Sequence, residues 1–327
     1  MMKKVLVTGA TGFLGKYVVE ELVDHGYLVR AFGRNRKVSY SLENSSVSFF
    51  KGDLTKAEDV AEACKGMDMV VHAGALSTVW GPWEDFYQAN VLGTKHVLEA
   101  CRQAGIQRLV YVSSPSIYAA PKEQLAIKES DAPEENNLNN YIRSKLASEK
   151  LFKDYPDVPS IILRPRGLFG IGDTSILPRV INLSQKIGIP LIGDGRQLMD
   201  MTCVENVALA IRLALEAPEA KGDIYNITNG EPRAFRDLLE ESLTGLGYPI
   251  KYRKIPATLL SGIASSLEFL YKTLNLKGEP ALTRYTYYLL RYSQTLDISK
   301  AEKDLGYHPK ISISEGIEQY VQDYRKH

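Results

Sequence analysis

KVLVTGATGFLG, residues 4–15, is the stretch that decides the fold of this chain. An apolar run suited to a buried strand, 4–8, leads into a loop with three glycines, and a helical pattern follows directly. Glycines here permit a tight turn and close approach of the backbone to a pyrophosphate, and the helix N-terminus offers free N–H groups to the anion. The stretch predicts a dinucleotide-binding turn, with a tight turn lacking any ligand as the alternative. The predicted cofactor contacts are Gly9, Thr11, Gly12, Phe13, Leu14 and Gly15.

Strand and helix patterns alternate along the first two-thirds of the chain. Short continuous apolar runs are typical of buried parallel strands. After the first strand these runs are 28–32, 48–51, 69–72, 109–113 and 160–164, and the helical patterns are 15–24, 57–64, 86–104 and 141–155. The alternation predicts an α/β fold with a doubly wound parallel (Rossmann) sheet.

The rhythm changes in the last third of the chain. Glycine and proline punctuate 165–195, a short strand and a helix are predicted over 200–214, and another strand over 224–227. We therefore expect a dinucleotide-binding domain of residues 1–169, to which 200–229 return. A smaller, mostly C-terminal substrate-binding lobe is expected from 170–199 and 230–327.

Composition and charge restrict the class of partner. The 327 residues are 44% hydrophobic, and 40 Lys and Arg against 39 Asp and Glu give a formal net charge of +1. This balance argues against nucleic acid and favours a small molecule as the partner. The apolar stretch 257–276 contains Glu268 and Lys272. It predicts an amphipathic helix packed on the protein, with contact to a membrane surface as the alternative.

The three cysteines, Cys64, Cys101 and Cys203, lie far apart and form no Cys-x-x-Cys pair. This spacing predicts neither a disulfide framework nor a zinc site, so no metal is expected. Free thiols are usual in a reducing compartment, and the predicted location is the cytoplasm.

The end of the second strand favours NADP(H) over NAD(H). An acidic residue there would bind the ribose 2′-hydroxyl, whereas arginine suits a 2′-phosphate. The stretch 31–36 has no Asp or Glu but has Arg34 and Arg36, although both would also suit a solvated loop. Asp53 and Leu54, after the third strand, are predicted to meet the adenine, with a helix N-cap as the alternative for Asp53.

Tyr141 and Lys145 are the predicted catalytic pair. On a helix, residues four apart share one face. A nearby ammonium lowers the pKa of a phenol, whose ordinary value is about 10, and the phenol can then exchange a proton with a carbonyl or alcohol oxygen. Ser114 follows an apolar strand, at the sheet edge where ligands bind. Asn90 is a further candidate near Lys145, with a structural amide as the alternative.

Taken together, these residues resemble the extended short-chain dehydrogenase/reductase family. The resemblance spans essentially the whole chain, through the motifs 8–15, 53–54, 72–75, 90–94, 112–114, 141–145, 163–165 and 200–206. It implies that Ser114 orients the substrate oxygen, that Tyr141 is the acid–base, and that Lys145 holds the nicotinamide ribose. It also implies cofactor contacts from Ala73, Gly74, Ala75, Ser113, Tyr141, Lys145, Pro165 and Leu168, and substrate contacts from Ser114, Trp80 and Arg166.

Within that family, the chain is similar to the branch of 3β-hydroxysteroid dehydrogenases and bacterial 2-alkyl-3-oxoalkanoate reductases. The similarity lies in 79–81, 164–170, 200–206, 282–284 and 292–297. It implies an oxidoreductase that transfers a hydride between NADP(H) and a ketone or alcohol on an apolar skeleton, such as a β-keto acyl, steroid-like or aldehyde substrate. Many relatives dimerise through helices that correspond to 86–104 and 141–155, so a homodimer is also implied.

An apolar substrate wall is expected from a group of aromatic and aliphatic residues, although core packing is the commoner fate of such side chains. The group comprises Trp80, Trp83, Leu168, Phe169 and the segment 285–292.

Two other functions remain as alternatives. Epimerases and dehydratases of nucleotide sugars often carry an arginine before the aspartate at position 200, where this chain has Met199. Arg196 and Arg233 are possible substitutes for gripping a diphosphate. A regulator that only binds NADP has no need of the Tyr141–Lys145 pair, which disfavours it.

Overall fold

The computed structural model describes residues 2–34, 45–174, 176–186, 188–218 and 222–326. Within these ranges the strands are β1 (Lys4–Thr8), β2 (Leu28–Gly33), β3 (Val47–Lys51), β4 (Met69–His72), β5 (Arg108–Val112), β6 (Gln124–Ile127), β7 (Ser160–Pro165), β8 (Leu168–Phe169), β9 (Ile189–Leu191), β10 (Leu198–Met199), β11 (Thr202–Cys203), β12 (Asp223–Ile227), β13 (Arg233–Ala234), β14 (Tyr252–Lys254) and β15 (Gln294–Leu296). The α-helices are α1 (Phe13–Asp24), α2 (Ala57–Cys64), α3 (Trp83–Phe86), α4 (Gly93–Ala104), α5 (Asn140–Leu151), α6 (Leu177–Lys186), α7 (Val204–Glu216), α8 (Phe235–Gly245), α9 (Ala257–Thr273), α10 (Arg284–Arg291), α11 (Ser299–Leu305) and α12 (Ile313–Tyr324).

A parallel sheet forms the centre of the molecule. Across the described residues its seven strands lie in the order β12-β7-β5-β4-β1-β2-β3, and every pairing is parallel. From β1 the strands β2 and β3 follow toward one edge of the sheet, whereas β4, β5, β7 and β12 follow toward the other edge. This arrangement confirms the predicted doubly wound sheet. The carboxyl ends of β1, β4, β5 and β7 therefore meet at one edge, where ligands bind in open sheets of this kind.

Helices cover both faces of the sheet, and this explains the continuous apolar runs in the sequence. Val5 and Val7 point into a core shared with α1 and α7, while Leu6 between them points into a second core with α2 and α4. Side chains alternate between the faces of a strand, so a strand buried on both faces is apolar throughout. Each fully buried aliphatic side chain contributes about 1.5–3 kcal/mol to folding.

The predicted helix over 86–104 has a different form in the structure. A π-helical segment, Tyr87–Leu92, separates α3 from α4. π-helical turns are rare and are found mostly at functional sites. This segment carries Asn90, one of the predicted site residues.

The predicted amphipathic helix is α9, and one of its faces packs on α10 through Leu260 and Ala264. The charge inside this apolar stretch is tolerated because the buried carboxylate of Glu268 accepts hydrogen bonds from the backbone N of Arg284 at 2.7 Å and from its Nε at 2.9 Å. The opposite side of the helix leaves Phe269 exposed. Across the described residues, no helix combines the length and apolar character needed to span a membrane.

Candidate active site

The loop between β1 and α1 is shaped by two glycines that have no space for a side chain. A Cβ on Gly9, whose φ is +71°, would lie 2.7 Å from the backbone N of Gly74, and a Cβ on Gly15 would lie 2.0 Å from the carbonyl oxygen of Gly9. Gly12 precedes α1, and no side chain caps that helix. The first amides of α1 are therefore available to an anion, which fits a dinucleotide pyrophosphate. Thr11, Phe13 and Leu14 are partly buried in this loop.

The end of β2 lies against the same loop. A Cβ on Gly33 would lie 3.2 Å from the hydroxyl oxygen of Thr11, so the following residue, Arg34, begins beside the loop. Arg34 is exposed and lies close enough to Asp53 to help lower the pKa of that carboxyl. Arg36, the other predicted arginine, lies outside the described residues.

Asp53 has a structural partner in addition to its predicted contact with adenine. Its Oδ1 accepts hydrogen bonds from the backbone N and the hydroxyl of Thr55, both at 3.0 Å. The backbone hydrogen bond from Thr55 is the largest cause that lowers the pKa of Asp53. The helix N-cap that the sequence left open for Asp53 is wrong, because Lys56 holds the N-cap position of α2 and no side chain caps that helix. Leu54 lies over Gly74, because a Cβ on Gly74 would lie 2.8 Å from Leu54 Cδ1.

His72 organises the end of β4, and the sequence analysis did not assign it a role. Its Nδ1 lies 2.8 Å from the hydroxyl of Thr8, and its Nε2 lies 3.0 Å from the hydroxyl of Thr94. The hydroxyl of Thr8 also accepts a hydrogen bond from the backbone N of Gly74 at 3.1 Å. Burial lowers the pKa of His72 to about 3, so the ring is neutral. It fixes the turn at Ala73, Gly74 and Ala75 next to the glycine loop.

Ser114 and Tyr141 come together at the end of β5. Ser114 is in extended conformation directly after the strand, and its Oγ lies 2.9 Å from the Oγ of Ser116. Tyr141 is in the first turn of α5. Asn139 caps this helix, because its Oδ1 accepts a hydrogen bond from the backbone N of Ile142 at 2.8 Å. Burial raises the pKa of Tyr141 to about 12, the Ser114 side chain opposes this, and Tyr285 adds to it. Ser114 is therefore close enough to Tyr141 to influence its hydroxyl.

The expected lowering of the Tyr141 pKa by Lys145 is wrong for this structure. The Nζ of Lys145 donates to the carbonyl oxygen of Val112 at 2.9 Å and to the hydroxyl of Tyr111 at 3.3 Å. Burial lowers the pKa of Lys145 to about 8, against the opposing effect of Glu149. The desolvation of both side chains outweighs the attraction on which the sequence argument relied. Tyr141 is accordingly a neutral phenol at pH 7.

A buried ion pair anchors α5 to the sheet, and sequence reasoning missed it. Arg164 on β7 donates from Nη2 to Glu149 Oε2 at 2.6 Å and from Nε to Oε1 at 3.0 Å. Ser113 donates its hydroxyl to the same carboxylate, so that side chain is turned away from the cofactor contact predicted for it. In the sequence, the signal for a functional position of Glu149 was its four-residue spacing from Lys145, which places both residues on one face of the helix.

Asn90 forms a structural clamp between the loop after β4 and α5. Its Oδ1 accepts from the backbone N of Leu76 at 2.7 Å, and its Nδ2 donates to the carbonyl oxygen of Leu76 at 3.0 Å and to Ser144 Oγ at 2.8 Å. Its backbone carbonyl accepts from Ser148 at 3.0 Å. These contacts use the whole amide, which favours the structural alternative over a direct catalytic role.

The predicted substrate residues lie in two different places. Trp80 packs edge-on against Tyr271 of α9, with 6.2 Å between ring centroids, and its loop is tied to α5 because Asn140 Nδ2 donates to the Gly81 carbonyl at 2.9 Å. Arg166 follows Pro165 at the end of β7 and is buried.

The expected apolar wall forms only in part. Phe169 is fully buried in a core with Cys203 and Ile317, so placing it in the wall was wrong. Trp83 lies under the guanidinium of Arg143, at 3.8 Å from the ring centroid. Leu168 is partly buried and pairs with Thr202. Tyr285 is the member of the wall that lies near Tyr141.

Comparison with known proteins agrees with this geometry. Residues 5–228 match the model of the NAD dependent epimerase/dehydratase family. The chain is 36% identical to the 2-alkyl-3-oxoalkanoate reductase of Stenotrophomonas maltophilia over 322 residues, which cover 96% of this chain and 97% of that protein. It is 33% identical to the mouse sterol-4-alpha-carboxylate 3-dehydrogenase, decarboxylating, over 98% of this chain and 91% of that one. The solved structure of MoeE5 in complex with UDP-glucuronic acid and NAD is 25% identical over 99% of each chain, with a TM-score of 0.77.

Lys145→Met tests the burial of an ammonium in the site. Below pH 8 the lysine is charged in both folded and unfolded chains, so the full cost of burial, roughly 3 kcal/mol, is present in the unaltered protein. The cost disappears as pH rises from 8 to about 10.5, where both states are neutral. The stability advantage of Lys145→Met is therefore largest below pH 8 and shrinks above it, as measured by urea unfolding across this range.

The control is Lys150→Met, which removes an exposed lysine from the same helix. Its difference in free energy of unfolding from the unaltered protein should stay constant over this pH range. A constant difference for Lys145→Met as well would contradict the burial of a charged Lys145.

Proposed function

The chain belongs to the NAD dependent epimerase/dehydratase family, the extended short-chain dehydrogenases/reductases, and we propose that it is an NADP(H)-dependent oxidoreductase of a ketone or alcohol on an apolar skeleton. The observation that carries the proposal is the placement of Ser114 directly after β5, within interaction range of Tyr141, at the edge of the sheet that also holds the glycine loop. A dinucleotide bound at this edge would therefore lie near a hydroxyl that can donate a proton to a carbonyl oxygen.

The state of Tyr141 suits a reductase. When bound, the nicotinamide cofactor supplies a hydride to the carbonyl carbon. Tyr141 gives its hydroxyl proton to the carbonyl oxygen, and Ser114 donates a hydrogen bond to the same oxygen. A phenol with a pKa of about 12 is fully protonated at pH 7, so the donor is present before the substrate arrives. In the reverse direction Tyr141 receives the proton of the alcohol after its own proton has left, so alcohol oxidation requires the phenolate and is favoured at higher pH.

We propose that the residues around the glycine loop hold the cofactor. Gly9, Gly12 and the first turn of α1 would receive the pyrophosphate, and Arg34 the 2′-phosphate. Lys145 would hold the nicotinamide ribose, since its ammonium now rests on neutral oxygens and can exchange them for hydroxyls. Leu54, Ala73, Gly74 and Ala75 would border the adenine side, and Pro165 and Leu168 the nicotinamide side. Ser113 would contribute through its backbone alone.

The relatives suggest the class of substrate. A 2-alkyl-3-oxoalkanoate and a sterol-4-alpha-carboxylate acted on at C3 share one arrangement, a carboxylate on the carbon next to the one that bears the reacting oxygen. We propose that this chain also acts on a 3-oxo or 3-hydroxy acid with an apolar skeleton. The alternatives within the same chemistry are a neutral steroid ketone and an aldehyde.

The two arginines predicted to bind the diphosphate of a nucleotide sugar both lie next to carboxylates, which disfavours the nucleotide-sugar alternative. Arg196 is exposed and its Nε lies 3.3 Å from Asp194 Oδ2, while Arg233 pairs with Glu241 at 2.7 Å. Arginines already paired with carboxylates are poor starting points for binding a diphosphate. An epimerase would also retain its cofactor with no net change in redox state.

Three further proposals concern organisation. The division into a dinucleotide-binding domain (1–169 with 200–229) and a substrate-binding lobe (170–199 and 230–327) follows the end of the parallel sheet. The cytoplasm as the location is supported by Cys64, Cys101 and Cys203, which are free and buried. Assembly as a homodimer through α4 and α5 rests on the resemblance to dimeric relatives.

Oxidation of NADPH and of NADH tests the proposed function against a matched set of compounds. The set is a 2-alkyl-3-oxo acid, a keto-steroid, a simple aldehyde, and UDP- and dTDP-sugars. We expect turnover of the oxo acid with NADPH and none of the sugars. Conversion of a sugar nucleotide without net cofactor use would contradict the proposal and establish the epimerase alternative.

Arg34→Ala tests the choice of cofactor. Loss of a charge-assisted contact to the 2′-phosphate should weaken NADPH binding by about 10-fold or more, while NADH binding changes little. The dissociation constants can be measured by fluorescence titration, with Arg196→Ala as the control for loss of an exposed arginine. Equal effects of Arg34→Ala on both cofactors would remove Arg34 from 2′-phosphate recognition.

A further inference from the structure

Arg166 is a buried cation without an acidic partner. Only 7% of its surface is exposed, and no carboxylate of the described residues lies within 4 Å of its guanidinium. Its Nη1 donates to the side-chain oxygen of Gln294, a neutral group. Arg164, two residues earlier, is equally buried but has a full ion pair with Glu149. The structure therefore leaves one of two neighbouring buried arginines without a counter-charge, which is costly unless a ligand provides it.

The position of Arg166 places it beside the reacting groups. Val112 of β5 pairs with Leu163 of β7, so continuing this register sets Ser114 opposite Pro165, and Arg166 is the next residue. Neighbouring strands lie about 4.8 Å apart. Arg164 of β7 points toward α5, the helix of Tyr141, and Arg166 lies directly beyond the end of that strand.

Tyr285 is in electrostatic range of both groups. Arg166 opposes the burial that raises the pKa of Tyr285, and Tyr285 in turn helps to raise the pKa of Tyr141. Arg166, Tyr285 and Tyr141 therefore belong to one neighbourhood of the site.

Asp200 is the nearest candidate for an internal counter-charge, and it does not fill that role. Its Oδ2 accepts from the backbone N of Leu296 at 2.6 Å, while its buried Oδ1 has no hydrogen-bond partner among the described residues. It attracts Arg166 from beyond ion-pair distance, and burial raises the pKa of Asp200 to about 6. Among the described residues Gln294 is the hydrogen-bond acceptor of the guanidinium, and the N–H groups along an edge of a guanidinium can receive a carboxylate in bidentate fashion.

We infer that Arg166 binds the carboxylate of a 3-oxo or 3-hydroxy acid whose C3 oxygen lies at Ser114 and Tyr141. This assignment rests on the proposed function, because it uses Tyr141 and Ser114 as the site of the reacting oxygen. It makes Arg166 a specificity residue that selects the acid over the matching ester or ketone. The desolvated carboxylate also fixes the orientation of the substrate on Tyr141.

The test compares 3-hydroxydecanoate with methyl 3-hydroxydecanoate, each oxidised with NADP+. In this direction a hydride passes from C3 to the cofactor, and the hydroxyl proton passes to the Tyr141 phenolate, which is formed by loss of the phenol proton to solvent at alkaline pH. Both compounds undergo the same chemistry under these conditions. The unaltered protein should prefer the acid. Arg166→Gln should lower kcat/KM for the acid by about 30-fold and leave the ester nearly unchanged, since only the acid loses a charged hydrogen bond. Arg166→Lys should recover part of the preference.

Calorimetric binding of the two compounds to the protein with NADPH, which cannot oxidise a hydroxy compound, gives a second readout that does not depend on turnover. Arg284→Met is the control, because Arg284 is a partly exposed arginine of the substrate-binding lobe that already pairs with Glu268. It should leave the preference for the acid intact. NADP+ binding by each variant verifies that the variant is folded.

The outcomes separate the two claims. Equal losses on acid and ester in Arg166→Gln, or an acid preference that depends on Arg284 instead, would overturn the role of Arg166 while the reductase proposal stands. Binding of 3-hydroxydecanoate that depends on Arg166 without any turnover would support the carboxylate site and contradict the proposed reaction. Equal affinity of the unaltered protein for acid and ester would also overturn the inference.

Discussion

The ion pair between Glu149 and Arg164 joins the helix that carries Tyr141 and Lys145 to β7, the second strand from one edge of the parallel sheet. Both partners are buried, their oxygens and nitrogens lie 2.6 and 3.0 Å apart, and Ser113 shares the same carboxylate. Removal of one partner from a buried pair typically costs about 3–5 kcal/mol, because the other charge is left uncompensated. The positions of the phenol and of the ammonium relative to the strand ends therefore depend on this contact. Asn90 adds a second tie between α5 and the loop after β4.

The glycine loop between β1 and α1 also depends on residues that have no side chain. Gly9 and Gly15 bring β1, α1 and the turn after β4 closer than any Cβ would allow. His72 then holds that turn through hydroxyls on two different elements. A loop that suits an anion and a buried phenol thus lie at the same edge of one sheet, which is the arrangement that the proposed hydride transfer to a carbonyl requires.

The sequence was sufficient for those features that local pattern determines. The apolar runs predicted the order and nearly the bounds of β1 to β5, β7 and β12, because strands covered on both faces must be apolar throughout. The motifs identified Ser114 and Tyr141, which the structure brings together. The π-helical segment was missed because its side chains follow nearly the same periodicity as an α-helix. The upward shift of the Tyr141 pKa was missed because burial depends on tertiary packing, and Phe169 was misplaced for the same reason. The contrast between Arg164 and Arg166 likewise depends on Glu149, which is distant in the sequence.

The central claim is that Tyr141 provides the proton for carbonyl reduction on a site that binds the cofactor independently of it. The most direct measurement is NADPH binding and single-turnover reduction of a 2-alkyl-3-oxo acid by Tyr141→Phe. The account predicts unchanged NADPH affinity and a rate of reduction at least about 100-fold below that of the unaltered protein, because the ring packing is kept while the proton donor is lost. A normal rate in Tyr141→Phe would contradict the account and remove Tyr141 from the chemistry.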